Sequence, residues 1–263
     1  MIEARAGYRT NLLWTISDTA VMIQRNLLRY TRLPQLAVFS SIQPIVFVLL
    51  FAYVFGGAIP VPQADYIDFL IPGIIVQVVI FGSTNTGVGL AEDLSKGLVD
   101  RFRSLPMSRP AVLAGRTLAD SVRNLFVVLL IVGVGAAIGF RFNNSVDAIV
   151  AAVSLALLFG FAFTWISALV GMLVRDTETA QVAGFVWVFP LVFASSMFVP
   201  VETMPGWLQA FVKVNPVTVN VDTVRALSLG GSVAPSLWKA VAWSGGVLLV
   251  FGPIAVHRYR KAN

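Results

Sequence analysis

Residues 148–174, AIVAAVSLALLFGFAFTWISALVGMLV, contain no charged side chain. A helix needs about 20 mostly apolar residues to cross roughly 30 Å of bilayer hydrocarbon, and the core of a soluble protein does not require an uninterrupted run of that length. This stretch therefore predicts a transmembrane helix. The composition agrees, because hydrophobic residues make up 57% of the chain and charged residues only 12%, about half the charged share of an average soluble domain.

Further apolar stretches on either side predict additional spans. We therefore expect a single all-α integral membrane domain, residues 1–263, with six transmembrane helices. Small residues such as Gly87 in the second span should allow close helix packing, and Gly135 and Gly139 form a weak G-x-x-x-G contact signal in the third. The six predicted spans are 36–59, 69–90, 118–140, 148–174, 180–201 and 238–256.

The segment before the first span, residues 18–32, predicts a helix that does not cross the bilayer. Arg25, Arg29 and Arg32 share one face of this helix, and apolar residues lie largely on the other. That pattern is typical of an amphipathic helix in the membrane interface, with its basic face toward the headgroups. The alternative interpretation is that the segment is simply the polar beginning of the first span.

Residues 203–231, between the fifth and sixth spans, are too polar and too broken to cross the bilayer. They predict two short extracellular or re-entrant helices, separated at Asn215-Pro216, because irregular backbone at membrane depth must be shielded by protein. Trp238 begins the last span and Tyr259 follows its end, and we expect both to act as interfacial anchors.

The Lys and Arg residues are unevenly divided between the two sides of the predicted membrane domain. Alternation of the spans puts fifteen of the 19 on the side that holds both termini. Because cytoplasmic segments are enriched in Lys and Arg, we expect both termini in the cytoplasm. The net charge of +6 is then explained by orientation and by contact with membrane lipids, and we expect no nucleic-acid partner.

The sequence argues against several kinds of chemistry. It has no cysteine, and its single histidine, His257, lies in the basic C-terminal segment, so we expect no catalytic residue, no metal site and no enzyme activity on this chain. The predicted spans hold essentially no ionisable residue, whereas proton relays and ion pathways need them. The nucleotide-binding motif G-x-x-x-x-G-K-[ST] is absent. If ATP drives this protein, we expect a separate polypeptide to hydrolyse it.

The one long charged interval, residues 92–123, is the candidate site for a partner. It predicts either a short helix that docks into a groove of a cytoplasmic partner or an ordinary basic loop lying on lipid, and its residues alone do not decide between the two. Arg116, Asp120 and Arg123 follow helical spacing, so we expect them to pair along one face. The apolar residues at helical spacing are Leu94, Leu98, Phe102 and Leu105.

Part of this interval resembles a known signature. The sequence RFRSLPMSR at 101–109, followed by Ala111, Gly115 and Arg116, is similar to the cytoplasmic-loop signature of ABC-2 type permeases, and especially to their daunorubicin-resistance branch. The resemblance covers nearly the whole chain. The downstream pieces that fit in order are FVP at 198–200, MPGWL at 204–208, Asn215-Pro216 and residues 222–229.

The resemblance implies a permease of the bacterial plasma (inner) membrane that pairs with a second, identical or related permease. It also implies two separate ABC ATPase subunits, which would bind ATP and magnesium, and no cofactor on this chain. The loop 92–109 would couple to the ATPase, the first, second and fifth spans would line a substrate path, and short outer helices would form a gate. The implied coupling residues are Glu92, Asp93, Asp100, Arg101, Phe102, Arg103, Leu105 and Pro106; the path residues are Phe47, Gln77, Phe185, Phe189 and Phe193; the gate residues are Trp207, Asn215 and Pro216.

The function implied by the resemblance is ATP-driven export of a hydrophobic or amphiphilic substrate, such as a drug, a lipid or a glycolipid. Two alternatives stay open. One is a permease of the same family for a polysaccharide or a lipid-linked glycan, and the other is a membrane scaffold or immunity protein that transports nothing.

Overall fold

A computed structural model describes residues 12–32, 34–59, 61, 65–98, 109–174 and 176–261. Over these residues the regular structure is entirely helical, with nine α-helices and no strand. A π-helical turn at Phe51–Phe55 follows the second helix, and a 3-10 turn at Val201–Thr203 follows the sixth. The helices are α1 Leu12–Arg32, α2 Pro34–Leu50, α3 Tyr66–Ser95, α4 Arg109–Ala137, α5 Val146–Val174, α6 Thr177–Phe193, α7 Gly206–Val214, α8 Pro216–Leu229 and α9 Ala234–Lys261.

Four of the described helices, α3, α4, α5 and α9, are long and apolar enough to cross a membrane. Two shorter apolar helices accompany them, at Ser41–Phe55 and Thr177–Phe193. The second of these has 17 residues and is therefore about 25 Å long, short of the hydrocarbon thickness. The helical class and the multi-pass character predicted from the sequence agree with this architecture, whereas the number of six spans stays a prediction.

The sixth helix is shorter than the span 180–201 predicted for it. It begins at an N-cap formed by Asp176, whose side chain accepts a hydrogen bond of 2.8 Å from the amide of Thr179. This bond holds the pKa of the Asp176 carboxyl below its ordinary value. Beyond Phe193 the chain is irregular as far as Pro200. The side chain of Asn215 caps the carboxyl end of α6 there, by donating to the carbonyl oxygens of Leu191 and Ala194.

The third helix is the centre of the bundle. In its most apolar stretch 78% of the residues are buried, against 44% or less in the other candidate spans. It packs against α4, α5, α6 and α8. A helix enclosed in this way needs apolar residues on all sides, and α3 supplies them with a continuous run that includes Ile71, Ile74, Ile75 and Val79, all buried.

Small residues bring α3 and α5 into close contact. A Cβ placed on Gly87 would overlap the carbonyl oxygen of Ser167, and one placed on Gly171 would overlap the carbonyl oxygen of Gly87. One turn away, the hydroxyls of Ser83 and Ser167 lie 3.4 Å apart. Backbones that approach this closely gain van der Waals contact that longer side chains would prevent.

The glycine pair Gly135 and Gly139 does not form the helix contact that the G-x-x-x-G pattern predicted. Helix α4 ends at Ala137, and Gly139 lies beyond it with a φ of 118° and no neighbouring atom within 4 Å of a built Cβ. The prediction is therefore wrong for Gly139, which ends the helix by adopting a positive φ that glycine accepts at no steric cost. Gly135 packs against Ile71 of α3.

A second cluster of buried side chains joins α1 and α9 to the bundle. Met22, Leu90, Leu113, Met172 and Tyr259 come together there from five different helices. The tyrosine is only 3% exposed, so the prediction that it anchors the last span in the membrane interface is wrong. The other predicted anchor, Trp238, is exposed.

Replacing Gly87 with alanine is expected to lower the stability of the folded chain by about 1–3 kcal/mol, the usual cost of overpacking a tight contact. The new methyl group would meet backbone, which cannot rotate away. Gly133→Ala is the matched control, because nothing lies within 4 Å of a Cβ at Gly133, and there alanine should be neutral or slightly stabilising. The apparent melting temperatures of the two purified variants give the comparison, and equal values would contradict the tight α3–α5 contact.

Candidate functional site

Two of the predicted coupling residues, Glu92 and Asp93, lie in the last turn of α3, and they have different surroundings. Asp93 is buried, and its carboxylate pairs with Arg116 of α4 at 2.5 Å and with Arg25 of α1 at 3.8 Å. Glu92 pairs at 2.6 Å with Lys96, four residues later on the same stretch of chain. The other predicted coupling residues, Asp100, Arg101, Phe102, Arg103, Leu105 and Pro106, lie outside the described residues.

Asp93 thus connects three helices at the point where α3 leads into the loop 92–109. Gly89 makes room for this connection, because a Cβ at that position would overlap the guanidinium group of Arg116. A carboxylate that is taken out of water needs a partner of opposite charge to remain ionised. Arg116 provides that partner directly, and Arg25 places the amphipathic helix α1 next to the same carboxylate.

The contact between α3 and α4 continues as a row of polar side chains. Thr86 donates a hydrogen bond of 2.6 Å to the carboxylate of Asp120. Arg123 donates to the carbonyl oxygen of Gly82 at 2.7 Å and to the side-chain oxygen of Asn124 at 2.9 Å. Together with the Asp93–Arg116 pair, these contacts form what we call the α3–α4 polar seam.

The polar seam corrects two expectations from the sequence. Asp120 and Arg123 lie within the predicted span 118–140 and are 4% and 9% exposed, so the statement that the spans hold essentially no ionisable residue is wrong there. Arg116, Asp120 and Arg123 share a helix face, and that face is turned toward α3. Their predicted pairing with one another stays a prediction. The facing residues of α3 are small or polar and recur at the same helical spacing. This matched spacing on the two helices is the sequence signal that could have predicted their contact. The α3 residues are Gly82, Thr86, Gly89 and Asp93.

A cavity of about 470 Å³ lies between α2, α3, α4 and α6, next to Arg123. Three of the predicted path residues, Phe47, Gln77 and Phe185, line it. Gln77 is 4% exposed, and its side-chain oxygen has no hydrogen-bond partner among the described residues. The other polar side chains of the lining are Gln43, Thr84, Asn85, Arg123, Asn124 and Gln181, and its apolar walls are formed by Pro44, Phe47, Val78, Phe81, Val88, Val127 and Phe185.

The remaining predicted path residues, Phe189 and Phe193, are not part of the cavity lining. They continue from it as a row of aromatic rings along α6, with centroid distances of 5.0 Å from Phe185 to Phe189 and 4.1 Å from Phe189 to Phe193. The row goes on to Phe198 at 5.4 Å and from there to Phe51 at 4.4 Å. Phe51 was not predicted, because its position in a π-helical turn has no signal in the sequence.

Two of the three predicted gate residues, Asn215 and Pro216, form a helix boundary that is fixed by hydrogen bonds. The side-chain nitrogen of Asn215 donates to the carbonyl oxygens of Leu191 and Ala194 at 2.7 and 2.6 Å. Its side-chain oxygen accepts from the amide of Val217, which caps α8. Asn215 therefore joins the end of α6 to the start of α8, and it is only 2% exposed. The third gate residue, Trp207 of α7, is 78% exposed.

Arg225 of α8 makes the most extensive polar contact at the same end of the bundle. It donates to the carbonyl oxygen of Phe69 at 3.0 and 3.2 Å and to that of Ser196 at 3.1 Å. It also pairs with Asp222 at 3.0 Å, and its guanidinium group lies 3.8 Å above the ring of Phe69. In the sequence, Arg225 lies in the segment 222–229 that resembles the family, and no role was predicted for it.

Burial changes the acid–base properties of this ion pair. It raises the pKa of the Asp222 carboxyl above its ordinary value, an effect opposed by Arg225 and by a hydrogen bond from the Ser196 hydroxyl. It lowers the pKa of Arg225 to about 10, and the negative charge of Asp222 opposes this shift. The arginine therefore keeps its charge at neutral pH, and its contacts hold α8 against α3 and against the irregular segment after α6.

Comparison with known proteins gives a consistent result. A model of the family described as "ABC-2 type transporter" matches residues 17–229. The chain is 33% identical to the daunorubicin resistance ABC transporter permease protein DrrB1 of Streptomyces coeruleorubidus, over 98% of this chain and 91% of that protein. It is 27% identical to the probable doxorubicin resistance ABC transporter permease protein DrrC of Mycobacterium tuberculosis, over 94% and 90% of the two chains.

Proposed function

Because this chain belongs to the ABC-2 type transporter family, we propose that it is the membrane-spanning permease subunit of an ATP-driven exporter for hydrophobic or amphiphilic substrates. The resemblance to daunorubicin-resistance permeases that was predicted from the sequence is confirmed. The substrate class and the coupling to an ATPase are the parts of this proposal that need experiments.

The observation that carries the proposed substrate class is the cavity with its aromatic row. An amphiphile has an apolar body and a polar group, and the site offers a counterpart to each. Phe47, Phe81 and Phe185 form an apolar wall, while Gln77 and the neighbouring polar side chains face the same space. Ligand sites of this kind are mostly apolar with a few polar groups that fix orientation. The drug-resistance names of the relatives DrrB1 and DrrC support the same class.

Energy for export is proposed to come from two ABC ATPase subunits that bind ATP and magnesium, acting on this permease and a second, identical or related one. The loop 92–109 would receive their movement. Asp93 lies where that loop begins, and its contacts with Arg116 and Arg25 would pass a displacement of α3 to α4 and α1. Trp207, Asn215 and Pro216 would close the path at the other end.

The orientation belongs to the same proposal. Six spans, both termini in the cytoplasm of a bacterium and short outer helices at 203–231 would place the basic loop 92–109 on the side where ATP is available. This arrangement is supported by the uneven division of Lys and Arg, since fifteen of the 19 would lie on the cytoplasmic side.

A second candidate, a permease for a polysaccharide or a lipid-linked glycan, is favoured by one observation. The aromatic row from Phe185 to Phe198 and Phe51 is continuous, and aromatic faces also stack against the apolar faces of sugar rings. The two candidates differ in which compounds stimulate the transporter, so one assay separates them.

The proposal is tested by co-expressing the full chain with a stand-alone ABC ATPase and reconstituting the purified complex in lipid nanodiscs. Planar aromatic amphiphiles should stimulate ATP hydrolysis several-fold, and lipid-linked oligosaccharides should not. Stimulation by the oligosaccharides alone would favour the second candidate. A chain that never associates with an ABC ATPase would contradict both and favour a protein that transports nothing.

Exchanging Phe102 and Leu105 for aspartate is expected to reduce co-purification of the ATPase at least about fivefold, because two charges would replace the apolar residues proposed to enter its groove. The chain itself should stay in the membrane. Trp207→Asp is the control, since it puts one aspartate in place of an exposed aromatic residue on the opposite, outer side of the proposed topology. Unchanged co-purification of the double variant would contradict the coupling assignment.

A further inference from the structure

We infer that the loop between α4 and α5, residues 138–145, is a latch that ties the carboxyl end of α8 to α4, with Asn144 as its positioning residue. Through this latch, a movement that begins at the loop 92–109 reaches the outer helix α8 along α4. The inference rests on the proposed function, because it names the route by which the ATPase acts on the outer end of the path.

The first step of the argument is that the latch is fixed to α4. The guanidinium group of Arg141 donates to the carbonyl oxygens of Ala136 and Phe140 at 2.7 and 2.8 Å. The amide of Phe140 donates to the carbonyl oxygen of Gly135 at 2.9 Å, and its ring is 1% exposed. The carbonyl groups of Gly135 and Ala136 belong to the last turn of α4, which has no partners for them within the helix. The latch therefore moves with the end of α4.

The second step is that the latch holds the carboxyl end of α8. The amide of Asn143 donates to the carbonyl oxygen of Ser228 at 3.0 Å, and the side-chain nitrogen of Asn144 donates to that of Leu227 at 3.0 Å. The side-chain oxygen of Asn144 accepts from the amide of Ser145 at 2.8 Å. Helices α3, α5 and α9 pack on α8 directly, whereas α4 does not contact it among the described residues. The latch is therefore the connection from α4 to α8.

The third step is that the carboxyl end of α8 is easier to displace than its start. The start is fixed to α6 by Asn215, whereas the end is followed by Gly230 and Gly231, with φ values of 86° and 156° that only glycine adopts readily. The two latch bonds join uncharged groups, and they lie beside an open cavity of about 910 Å³ that the latch and the last turn of α8 both line. Water can replace such bonds at little cost, so they can open and close during a cycle.

The fourth step is the position of the other end of α4. The helix begins at Arg109, where the loop 92–109 ends, and its 29 residues span about 43 Å from there to the latch. It has no proline after Pro110, the residue type at which helices most often kink. Near its start it is bound to α3 through Arg116 and Asp93. A displacement of the loop 92–109 therefore acts on the first turns of α4, and the continuous helix carries it to the latch.

The test uses the complex of the full chain with an ABC ATPase in nanodiscs. Hydrogen–deuterium exchange of residues 217–229 is measured with and without ATP and vanadate, which traps the ATPase in its closed state. In the unaltered chain the exchange rates should change at least about threefold, and in Asn144→Ala by less than about 1.5-fold. ATP-dependent transport by this variant should fall at least about fivefold, while the ATPase still co-purifies and hydrolyses ATP. A purely structural cap would give a different result, because its loss would speed exchange equally in both states.

Asn143→Ala is the matched control. It makes the same change one residue away, but Asn143 contacts α8 through its backbone amide, so the effect of ATP on residues 217–229 should persist. Asn144→Asp keeps the oxygen that accepts from Ser145 and loses the donor to Leu227, so it should behave like Asn144→Ala. If Asn144→Ala does not elute as a folded species in gel filtration, Asn144→Asp decides.

An effect of ATP on residues 217–229 that is as large in Asn144→Ala as in the unaltered chain would overturn the inference and assign the route to α3, which packs on α8 directly. So would the absence of this effect in an unaltered complex that transports. Both results leave the proposed function standing. A chain that binds no ABC ATPase would overturn the proposed function and the inference together.

Discussion

Replacing Asp93 with alanine is expected to lower the free energy of unfolding by about 3–5 kcal/mol, the cost of leaving one partner of a buried ion pair without its counter-charge. The Arg116 side chain is only 12% exposed and lies 2.5 Å from the Asp93 carboxylate, so water cannot replace that carboxylate without opening the contact between α3 and α4. Thermal or denaturant unfolding of the purified chain in mixed micelles measures the loss.

Glu92 offers a control one residue away. Its ion pair with Lys96 is at the surface, where the lysine side chain is 61% exposed, and exposed pairs of this kind contribute about 0–1 kcal/mol. Glu92→Ala should therefore change stability little. If Asp93→Ala and Glu92→Ala cost the same, the three-helix connection at Asp93 does not stabilise the fold as the geometry indicates.

A paired replacement separates stability from coupling. Exchanging Asp93 and Arg116 together for leucine and methionine removes both buried charges, so it should cost much less than Asp93→Ala alone. On the proposed function, this double variant should still bind the ATPase but lose most of its ATP-dependent transport, because the charged link from α3 to α4 and α1 would be gone. Transport at the unaltered rate would show that the link has a purely structural role.

The features of the fold that were predicted well are those that depend on the residues of one segment alone. The uncharged stretch 148–174 corresponds closely to α5, Val146–Val174, because length and apolarity alone decide whether a segment suits a bilayer. The break at Asn215-Pro216 likewise marks the boundary between α7 and α8. The role of Asn215 as a cap for the distant end of α6 was not predictable, since it depends on where α6 lies in space.

The parts that were missed depend on how helices face one another. The polar seam depends on two patterns at once: the spacing of Arg116, Asp120 and Arg123 on α4 and the small and polar residues at the same spacing on α3. Neither pattern alone predicts that the two helix faces meet. Gly139 shows the opposite error, in which a spacing pattern was read as a contact although the helix ends at Ala137. The spacing of residues along one helix predicts which of them share a face. Which neighbouring helix contacts that face is known only from the packing of the folded chain.

Arg225→Ala is expected to release α8 from the start of α3 and to cost about 1–3 kcal/mol. The main cost is that the carbonyl oxygens of Phe69 and Ser196 lose their donor. The lost ion pair adds little, because the Asp222 side chain is 47% exposed and water can solvate its carboxylate. Arg225→Lys should recover only part of the loss, because a lysine cannot reproduce the planar fork that reaches both carbonyl groups and lies against the Phe69 ring.

Hydrogen–deuterium exchange measures both where Arg225→Ala loosens the structure and by how much. Amides of residues 217–229 should exchange at least tenfold faster in this variant, while those of α1, which does not contact α8 among the described residues, should change little if the loss is local. Lys213→Ala is the control, since Lys213 is an exposed basic residue on the neighbouring helix α7. Equal protection in the two variants, or full recovery by Arg225→Lys, would contradict the assignment. On the proposed function, in which α7 and α8 lie at the outer end of the path, the expected pattern would make Arg225 a contact that a transport cycle has to release.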